Sequence, residues 1–164
     1  MSSSRQLTST DLQRFIENNA ITAELLHLPE KTPSVEDAAR VLEVATGQII
    51  KSLVFHLNGE PLLVINSGTA RVDRKKLAAH LGVGRKRVKF ADAQMALSIT
   101  GYVVGSMPPF GHRTPIRTLV DEAVFQQEQI FGGGGDIDAM MRLTPRELER
   151  VTRPERVALA EDPR

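Results

Sequence analysis

Two features of this sequence have residue types suited to chemistry: a loop rich in glycine and proline, and a lysine within an apolar segment. The loop covers residues 101–111, which are Gly101, Tyr102, Val103, Val104, Gly105, Ser106, Met107, Pro108, Pro109, Phe110 and Gly111. Glycine reaches backbone angles closed to other residues, whereas proline fixes its own φ and lacks an amide donor. A loop of fixed shape with free N–H groups can hold a carbonyl, carboxylate or phosphate oxygen. The alternative interpretation is a rigid turn that only reverses the chain.

The lysine is Lys51, which interrupts a segment that alternates like a β-strand. Residues 49–57 place Lys51 in one row with Leu53 and Phe55, because successive side chains of a strand point to opposite faces. An unpaired ammonium is costly to bury, so the side chain must either extend outward to water or meet an anion. Both interpretations stay open: a lysine at the end of a strand, or a cation in the wall of a pocket.

A basic segment at residues 71–89 is the third candidate site. It contains one acidic residue, Asp73, and eight basic ones: Arg71, Arg74, Lys75, Lys76, Arg85, Lys86, Arg87 and Lys89. A cluster of this size attracts a phosphate backbone and makes binding depend on salt. The other interpretation is a solvated face without a partner.

The composition limits the class of protein. The chain has 164 residues, enough for one well-buried core, and its 41% hydrophobic and 25% charged content is typical of a soluble globular protein. No apolar run approaches the about 20 residues of a membrane span, and the polar residues 1–6 do not begin a secretory signal. The absence of cysteine excludes disulfides and thiolate catalysis. We therefore expect a cytoplasmic protein without a membrane partner.

Short helices and strands alternate along the chain and must position these residues. Helices are predicted at residues 11–18, from a Ser34 cap to Gly47, from an Asp73 cap to Gly82, from Asp92 to Gly101, and from Thr144 to Val151. Strands are predicted at residues 49–57 and 61–66 around an Asn58-Gly59 turn, and at 86–90, 116–120, 129–131, 137–143 and 157–159. The predicted fold class is α+β (mixed α/β): a single domain with a curved, largely antiparallel sheet flanked by short helices.

Several familiar chemistries lack their residues in this sequence. The four histidines have no metal-ligand spacing, so neither a metal nor another cofactor is expected. Ser106 follows Gly105 but lacks the Gly-x-Ser-x-Gly pattern of a serine hydrolase. The four glycines at residues 132–135 lack the Gly-Lys-Ser/Thr of a nucleotide-binding P-loop.

The order of these motifs resembles the YbaK and prolyl-tRNA synthetase editing-domain family, the free-standing or inserted aminoacyl-tRNA deacylases. The resemblance covers about residues 32–151. Its most specific part is the strand that carries Lys51 followed by the Gly-x-x-x-Pro loop that begins at Gly105. It implies a YbaK-like editing domain at residues 31–160 and a helical extension at residues 1–30 packed on that domain.

The resemblance also implies a set of site residues. Lys51 matches the strand lysine on which deacylation depends and which engages the tRNA end. Gly105 lies in the loop that holds the aminoacyl ester and helps to place the water, and Asp136 matches an acidic position near the pocket. The implied substrate-binding residues are Gly101, Tyr102, Ser106, Met107, Pro108, Pro109, Phe110, Gly111, Gly133 and Gly134. The candidate contacts of the tRNA backbone are Arg74, Lys75, Lys76, Arg85, Lys86 and Arg87.

The implied function is a trans-acting deacylase that hydrolyses the ester of a mischarged tRNA carrying a small amino acid such as Cys, Ala or Ser. An aminoacyl ester is already activated, so a placed water and N–H groups that stabilise the oxyanion suffice without a side-chain base. The expected partners are the aminoacylated acceptor end of tRNA and, as a second candidate, an aminoacyl-tRNA synthetase. Two alternatives stay open: a non-catalytic module on the same scaffold that binds a tRNA end or a synthetase, and a nucleic-acid-binding protein that uses the basic segment.

Overall fold

Eight strands and five helices make up the framework in the computed structural model, which describes residues 5–162. The strands are β1 (Glu24–His27), β2 (Ile50–Leu57), β3 (Glu60–Ser67), β4 (Val88–Phe90), β5 (Arg117–Asp121), β6 (Ile130–Gly133), β7 (Ala139–Leu143) and β8 (Glu155–Val157). The helices are α1 (Ser9–Asn18), α2 (Val35–Leu42), α3 (Arg74–Leu81), α4 (Ala93–Thr100) and α5 (Pro145–Thr152). Within the described range, none of the helices has the length and apolar character that crossing a membrane requires.

The strands form two sheets. A five-stranded sheet has the order β4-β2-β3-β5-β8, and a three-stranded sheet has the order β1-β7-β6. Strand β2 is antiparallel to β3 and β4, whereas β5 is parallel to β3 and β8. The smaller sheet is antiparallel throughout. The predicted α+β class is confirmed, with the strands divided between two sheets where one curved sheet was expected.

The strand β1 has no counterpart in the sequence prediction. It has only four residues and pairs with β7, with Leu25 opposite Met141 and Leu26 opposite Met140. A short strand that pairs with a distant segment has neither a turn dipeptide nor a long alternation to reveal it. The smaller sheet therefore includes a segment from before residue 30.

Two predicted helix boundaries are wrong. The first helix begins at Ser9, because Thr8 provides the cap and its backbone N–H donates to the Asp11 carboxylate at 2.8 Å. The second helix, predicted to continue to Gly47, ends at Leu42 because the next residue takes a left-handed backbone with φ +57°. The helices that follow Asp73 and Asp92 begin and end as predicted.

The alternation predicted for β2 is confirmed and explains where Lys51 lies. Leu53, Phe55 and Leu57 pack in a cluster that α3 covers with Leu77 and Ala78. On the other face of the strand, Ile50 and Val54 pack into a separate, larger core, which also contains Tyr102 and Met141. Lys51 belongs to the row of Leu53 and Phe55 and is the second residue of the strand.

Close packing of β6 against the loop at residues 101–111 depends on glycine. A Cβ on Gly133 would overlap the carbonyl group of Met107, and a Cβ on Gly132 would lie 3.4 Å from Pro109. The backbone of the loop therefore rests directly on β6. This contact, rather than an unusual φ, explains why glycine is needed at residues 132 and 133.

We predict that Gly133→Ala lowers the free energy of unfolding by about 1–3 kcal/mol, because the added methyl group must push the loop away from β6. Urea unfolding measures the change. Gly84→Ala is the matched control, since Gly84 has φ −71° and no atom would lie within 4 Å of its Cβ. Equal stability of the two variants would contradict the close packing of loop and strand.

Candidate active site

A cavity of about 230 Å³ lies where β2, the start of α2 and the loop at residues 101–111 meet. Its polar side chains come from Lys51, Ser52, Thr32 and Ser34. The remainder of its lining consists of Pro33, Val35, Ala38, Ile49, Ile50, Leu53, Val104, Gly105, Met107, Gly133 and Met140. The cavity thus has a mostly apolar wall with one cation.

The loop closes the cavity with a tight turn. The N–H of Ser106 donates to the carbonyl oxygen of Val103 at 3.0 Å, and Gly105 between them has φ +98°. This backbone fits a type II turn, whose third residue needs a positive φ and favours glycine. The hydroxyl of Ser106 also donates to Val103 at 2.8 Å, and the N–H of Gly135 donates to the Ser106 carbonyl at 2.8 Å. The turn is therefore fixed from both sides.

Three backbone amides of the turn lack acceptors. Val104, Gly105 and Met107 line the cavity, and within the described part of the chain their N–H groups donate to no acceptor. Met107 is only 6% exposed, so water does not readily replace the missing partner of its amide. Buried backbone N–H groups are nearly always paired, so the Met107 amide is an exception. Val104 and Gly105 are exposed, and their amides face solvent as well as the cavity. Such donors are suited to an oxygen that gains negative charge during a reaction.

Lys51 supplies the charge of the cavity. It is half-buried on β2 opposite Asn66, and no hydrogen-bond or ion-pair partner for its ammonium exists among residues 5–162. Burial lowers the pKa of Lys51, the nearby Arg71 cation lowers it further, and Glu36 raises it in part. The cavity therefore presents a cation that no neighbouring carboxylate neutralises.

Four residues that the sequence analysis assigned to the site line this one cavity: Lys51, Gly105, Met107 and Gly133. Asp136 and Ser106 line a neighbouring depression on the other side of the turn, together with Gln6 and Asp138. The Asp136 carboxylate accepts a hydrogen bond from the hydroxyl of Ser9 on α1. The structure thus brings the lysine and the loop together and places Asp136 outside their cavity.

The other predicted substrate-binding residues support the loop from behind. Tyr102 is fully buried with its hydroxyl unpaired, and burial raises its pKa. Phe110 is buried against Phe15 of α1, with ring centroids 5.9 Å apart. The remaining positions are buried prolines or glycines enclosed by neighbouring chain segments, namely Gly101, Pro108, Pro109, Gly111 and Gly134. In the described structure these residues shape the loop and lie outside the cavity lining.

The basic segment divides into exposed and structurally engaged cations. Lys75, Arg85, Lys86 and Arg87 are exposed and form no ion pair within the described residues. In contrast, the guanidinium of Arg74 donates to the carbonyl of Val88 at 2.6 Å. The ammonium of Lys76 donates to the Ala160 carbonyl and pairs with Asp162, each at 2.8 Å. Four of the six predicted cations are thus available to a phosphate backbone.

Sequence reasoning missed the opposite wall of the cavity. Thr32, Val35 and Ala38 come from the linker and first turns of α2, and Met140 comes from β7. The Ser34 cap indicated a helix start, but nothing in the local pattern indicates that this helix start faces β2. Asn66 was also missed: it is fully buried, donates to the carbonyl of Ala70 at 2.9 Å and leaves its own side-chain oxygen unpaired.

Comparisons with known proteins agree with this architecture. The family described as "Aminoacyl-tRNA editing domain" matches residues 29–151. The chain is 26% identical over 133 residues to the "Multifunctional Ser/Thr-tRNA deacylase ProXp-y" of Escherichia coli, covering 78% of each protein. A crystal structure of a proposed trans-editing enzyme for prolyl tRNA synthetase matches 99% of both chains with a TM-score of 0.87 and 29% identity.

The match to a second relative covers only a small part of that protein. The chain is 30% identical over 122 residues to the proline–tRNA ligase of Desulfotalea psychrophila, and this match covers 73% of the chain but only 20% of the ligase. The shared part is thus about a fifth of that enzyme. The family match and the deacylase relative together define an aminoacyl-tRNA hydrolase of the editing class. The chain belongs to the aminoacyl-tRNA editing domain family.

The residues that the structure describes contain no group of three or more histidine, aspartate or glutamate side chains arranged to hold a metal ion. The polar groups that line the cavity are the ammonium of Lys51, the amides of the loop and the hydroxyls of Thr32, Ser34 and Ser52.

We predict that Lys51→Met unfolds at the same or a higher temperature than the parent protein at pH 7. A lysine whose pKa is lower in the folded state opposes folding while it is protonated in both states. This opposition is fully present below the lowered pKa and disappears as the pH rises from there towards the ordinary value of 10.5. The stabilising effect of the substitution should therefore shrink as the pH rises towards 10.5.

Thermal unfolding across a pH series measures this effect. Lys75→Met is the control, because Lys75 is exposed on α3 and forms no ion pair within the described residues. A Lys51→Met protein less stable than the control variant at neutral pH would show that the ammonium has a stabilising partner.

Proposed function

We propose that this protein is a trans-acting deacylase that hydrolyses the ester bond of a tRNA charged with a small, incorrect amino acid. The observation that carries the proposal is the single cavity that contains both the unpaired ammonium of Lys51 and three unpaired loop amides. The match to the editing family and the likeness to a Ser/Thr-tRNA deacylase support the same reaction.

The free amides fit the demands of ester hydrolysis. A water oxygen attacks the carbonyl carbon of the ester, and the carbonyl oxygen becomes an oxyanion. The N–H groups of Val104, Gly105 and Met107 stabilise that charge, and loss of one such donor typically costs about 100- to 1,000-fold in rate. The carbon–oxygen bond to the ribose then breaks, and the proton released by the water ends on the ribose oxygen. The products are the free amino acid and the uncharged tRNA.

Lys51 has a binding and positioning role in this proposal. Its ammonium lies among apolar side chains, where a charge attracts an anion more strongly than it does in bulk water. The anionic group that an aminoacyl-tRNA brings closest to its ester is the terminal phosphate, with the ribose hydroxyls beside it. Lys51 thus fixes the end of the tRNA so that the ester lies at the loop amides.

The cavity favours a small amino acid. A volume of about 230 Å³ lies below the range of about 300–1,000 Å³ typical of drug-sized ligands. Val35, Ile49 and Met140 limit the space for a side chain, and one methylene group changes discrimination by about 10- to 200-fold. Cys, Ala and Ser are all of suitable size. The hydroxyls of Thr32 and Ser52 in the wall favour Ser among them.

The exposed cations extend the substrate contact beyond the cavity. Lys75, Arg85, Lys86 and Arg87 are free of acidic partners within the described range. Lys75 lies on α3, and Arg85, Lys86 and Arg87 lie on the turn before β4. Strand β4 pairs with β2, the strand that carries Lys51. We assign them to the phosphates of the acceptor stem, where such contacts add affinity that depends on salt.

We predict that Lys51→Ala lowers deacylation by about 100-fold or more while the protein stays folded, because the tRNA end is no longer fixed at the loop. The measurement is release of the amino acid from a panel of tRNAs charged with Ser, Ala, Cys, Thr and Pro. Arg14→Ala is the control, since Arg14 is exposed on α1 and lies outside the cavity lining.

Full activity of Lys51→Ala on every tRNA in the panel would contradict the role of the lysine. If the parent protein binds the charged tRNAs but hydrolyses none of them, the non-catalytic binding module becomes the better interpretation.

A further inference from the structure

Phe90 is an aromatic side chain that the proposed reaction does not use. Its side chain is 57% exposed, more than any other large hydrophobic residue of the described chain. It ends β4, the edge strand of the five-stranded sheet, and its ring lies against Phe55 with centroids 5.2 Å apart. The ring is therefore in tilted contact with one buried aromatic side chain, while much of Phe90 remains open to solvent.

The register of the sheet places Phe90 on the same face as Lys51. Phe90 is the partner of Phe55 on β2, and directly paired residues of neighbouring strands share a face. Phe55 lies four positions after Lys51, so both side chains leave the same face of β2. At about 3.3 Å per residue, the two positions are about 13 Å apart along the strand. This span corresponds to about four stacked nucleotides at about 3.4 Å each.

Basic residues lie near both ends of the stretch between Lys51 and Phe90. The Arg71 cation is close enough to Lys51 to lower its pKa, and Arg74 donates to the carbonyl of Val88, two residues before Phe90. Arg87 is exposed immediately before β4. Two acidic residues of the region cap helices: Asp73 accepts from the amides of Lys75 and Lys76, and Asp92 accepts from that of Met95. A third, Glu36, lies near Lys51 at the other end of the span. The surface around Phe90 is thus aromatic and positively charged.

We propose that Phe90 is a stacking platform for an unpaired base in the 3′ end of the tRNA, upstream of the nucleotide that carries the ester. The proposal rests on the proposed function, because the terminal nucleotide is placed at Lys51. An aromatic ring among cations is the combination that single-stranded RNA uses, the ring for the base and the cations for the backbone. A protein partner or a second copy of this chain would instead favour an apolar surface broader than one ring.

The inference is tested first with an uncharged RNA hairpin that ends in an unpaired CCA, compared with the same hairpin ending flush. Phe90→Ala should weaken binding of the first RNA by about 5- to 150-fold, the range expected for loss of one stacked base, and leave binding of the second unchanged. Phe90→Tyr should restore most of the affinity, whereas Phe90→Leu should not, since leucine keeps the apolar bulk without a ring. Equal losses on both RNAs, or full affinity with leucine, would overturn the proposal.

A second measurement reports on the ring itself. The chain contains no tryptophan, so Phe90→Trp introduces a single fluorescent probe at this position. We expect saturable quenching by the hairpin with the unpaired end and none by the flush hairpin. The opposite pattern, or a change in oligomeric state of Phe90→Ala by light scattering, would assign the ring to another partner. Since neither RNA carries an amino acid, these results are independent of whether the protein hydrolyses an ester.

Discussion

This site is built around the ammonium of Lys51, which lies in an apolar row and has no ion-pair partner among residues 5–162. The pattern of β2 fixes the direction of Lys51, because a shift of one residue would move Leu53 and Phe55 out of their cluster beneath α3. The nearby Arg71 makes the charge less favourable, and Glu36 compensates only in part. An uncompensated charge at a cavity is an arrangement that folding alone does not favour. In the proposed function, this charge binds a negatively charged group of the substrate.

The loop contributes the second half of the site through its rigidity. Tyr102, Met107 and Phe110 are buried, and together with two prolines they leave the turn between them little freedom. Gly105 allows the left-handed backbone of the turn, and the glycines of β6 allow the loop to approach closely. Unpaired amides held this firmly need no rearrangement when charge develops on a bound oxygen. The aromatic and proline residues thus act through the shape of the loop.

Much of this organisation can be predicted from sequence because it is local. The Asn58-Gly59 hairpin, the helix caps at Asp73 and Asp92 and the alternation of β2 each depend on residues close in the chain, and the structure has all of them. The strand β1 and the cavity wall from Thr32 and Met140 depend on contacts between distant segments, which periodicity does not encode.

Asp136 is a single site residue whose position likewise depends on contacts between distant segments. The resemblance to the editing family matched Asp136, after the glycine run, to an acidic position near the pocket. The turn at Gly105 separates the two side chains into adjacent depressions, and Ser9 of α1 binds the carboxylate. Closeness to a motif in sequence therefore did not determine which side of the loop the carboxylate occupies. Its part in the reaction stays a prediction.

The most direct test of the account is to observe the lysine and the loop amides together by NMR as a non-hydrolysable substrate analogue binds. The analogue is adenosine 5′-phosphate with serine joined to the 3′ position through an amide. We predict that the signals of the Lys51 side chain and of the Val104, Gly105 and Met107 amides shift together with a single dissociation constant. Binding that shifts the signals around Asp136 and leaves Lys51 and these amides unchanged would contradict the account.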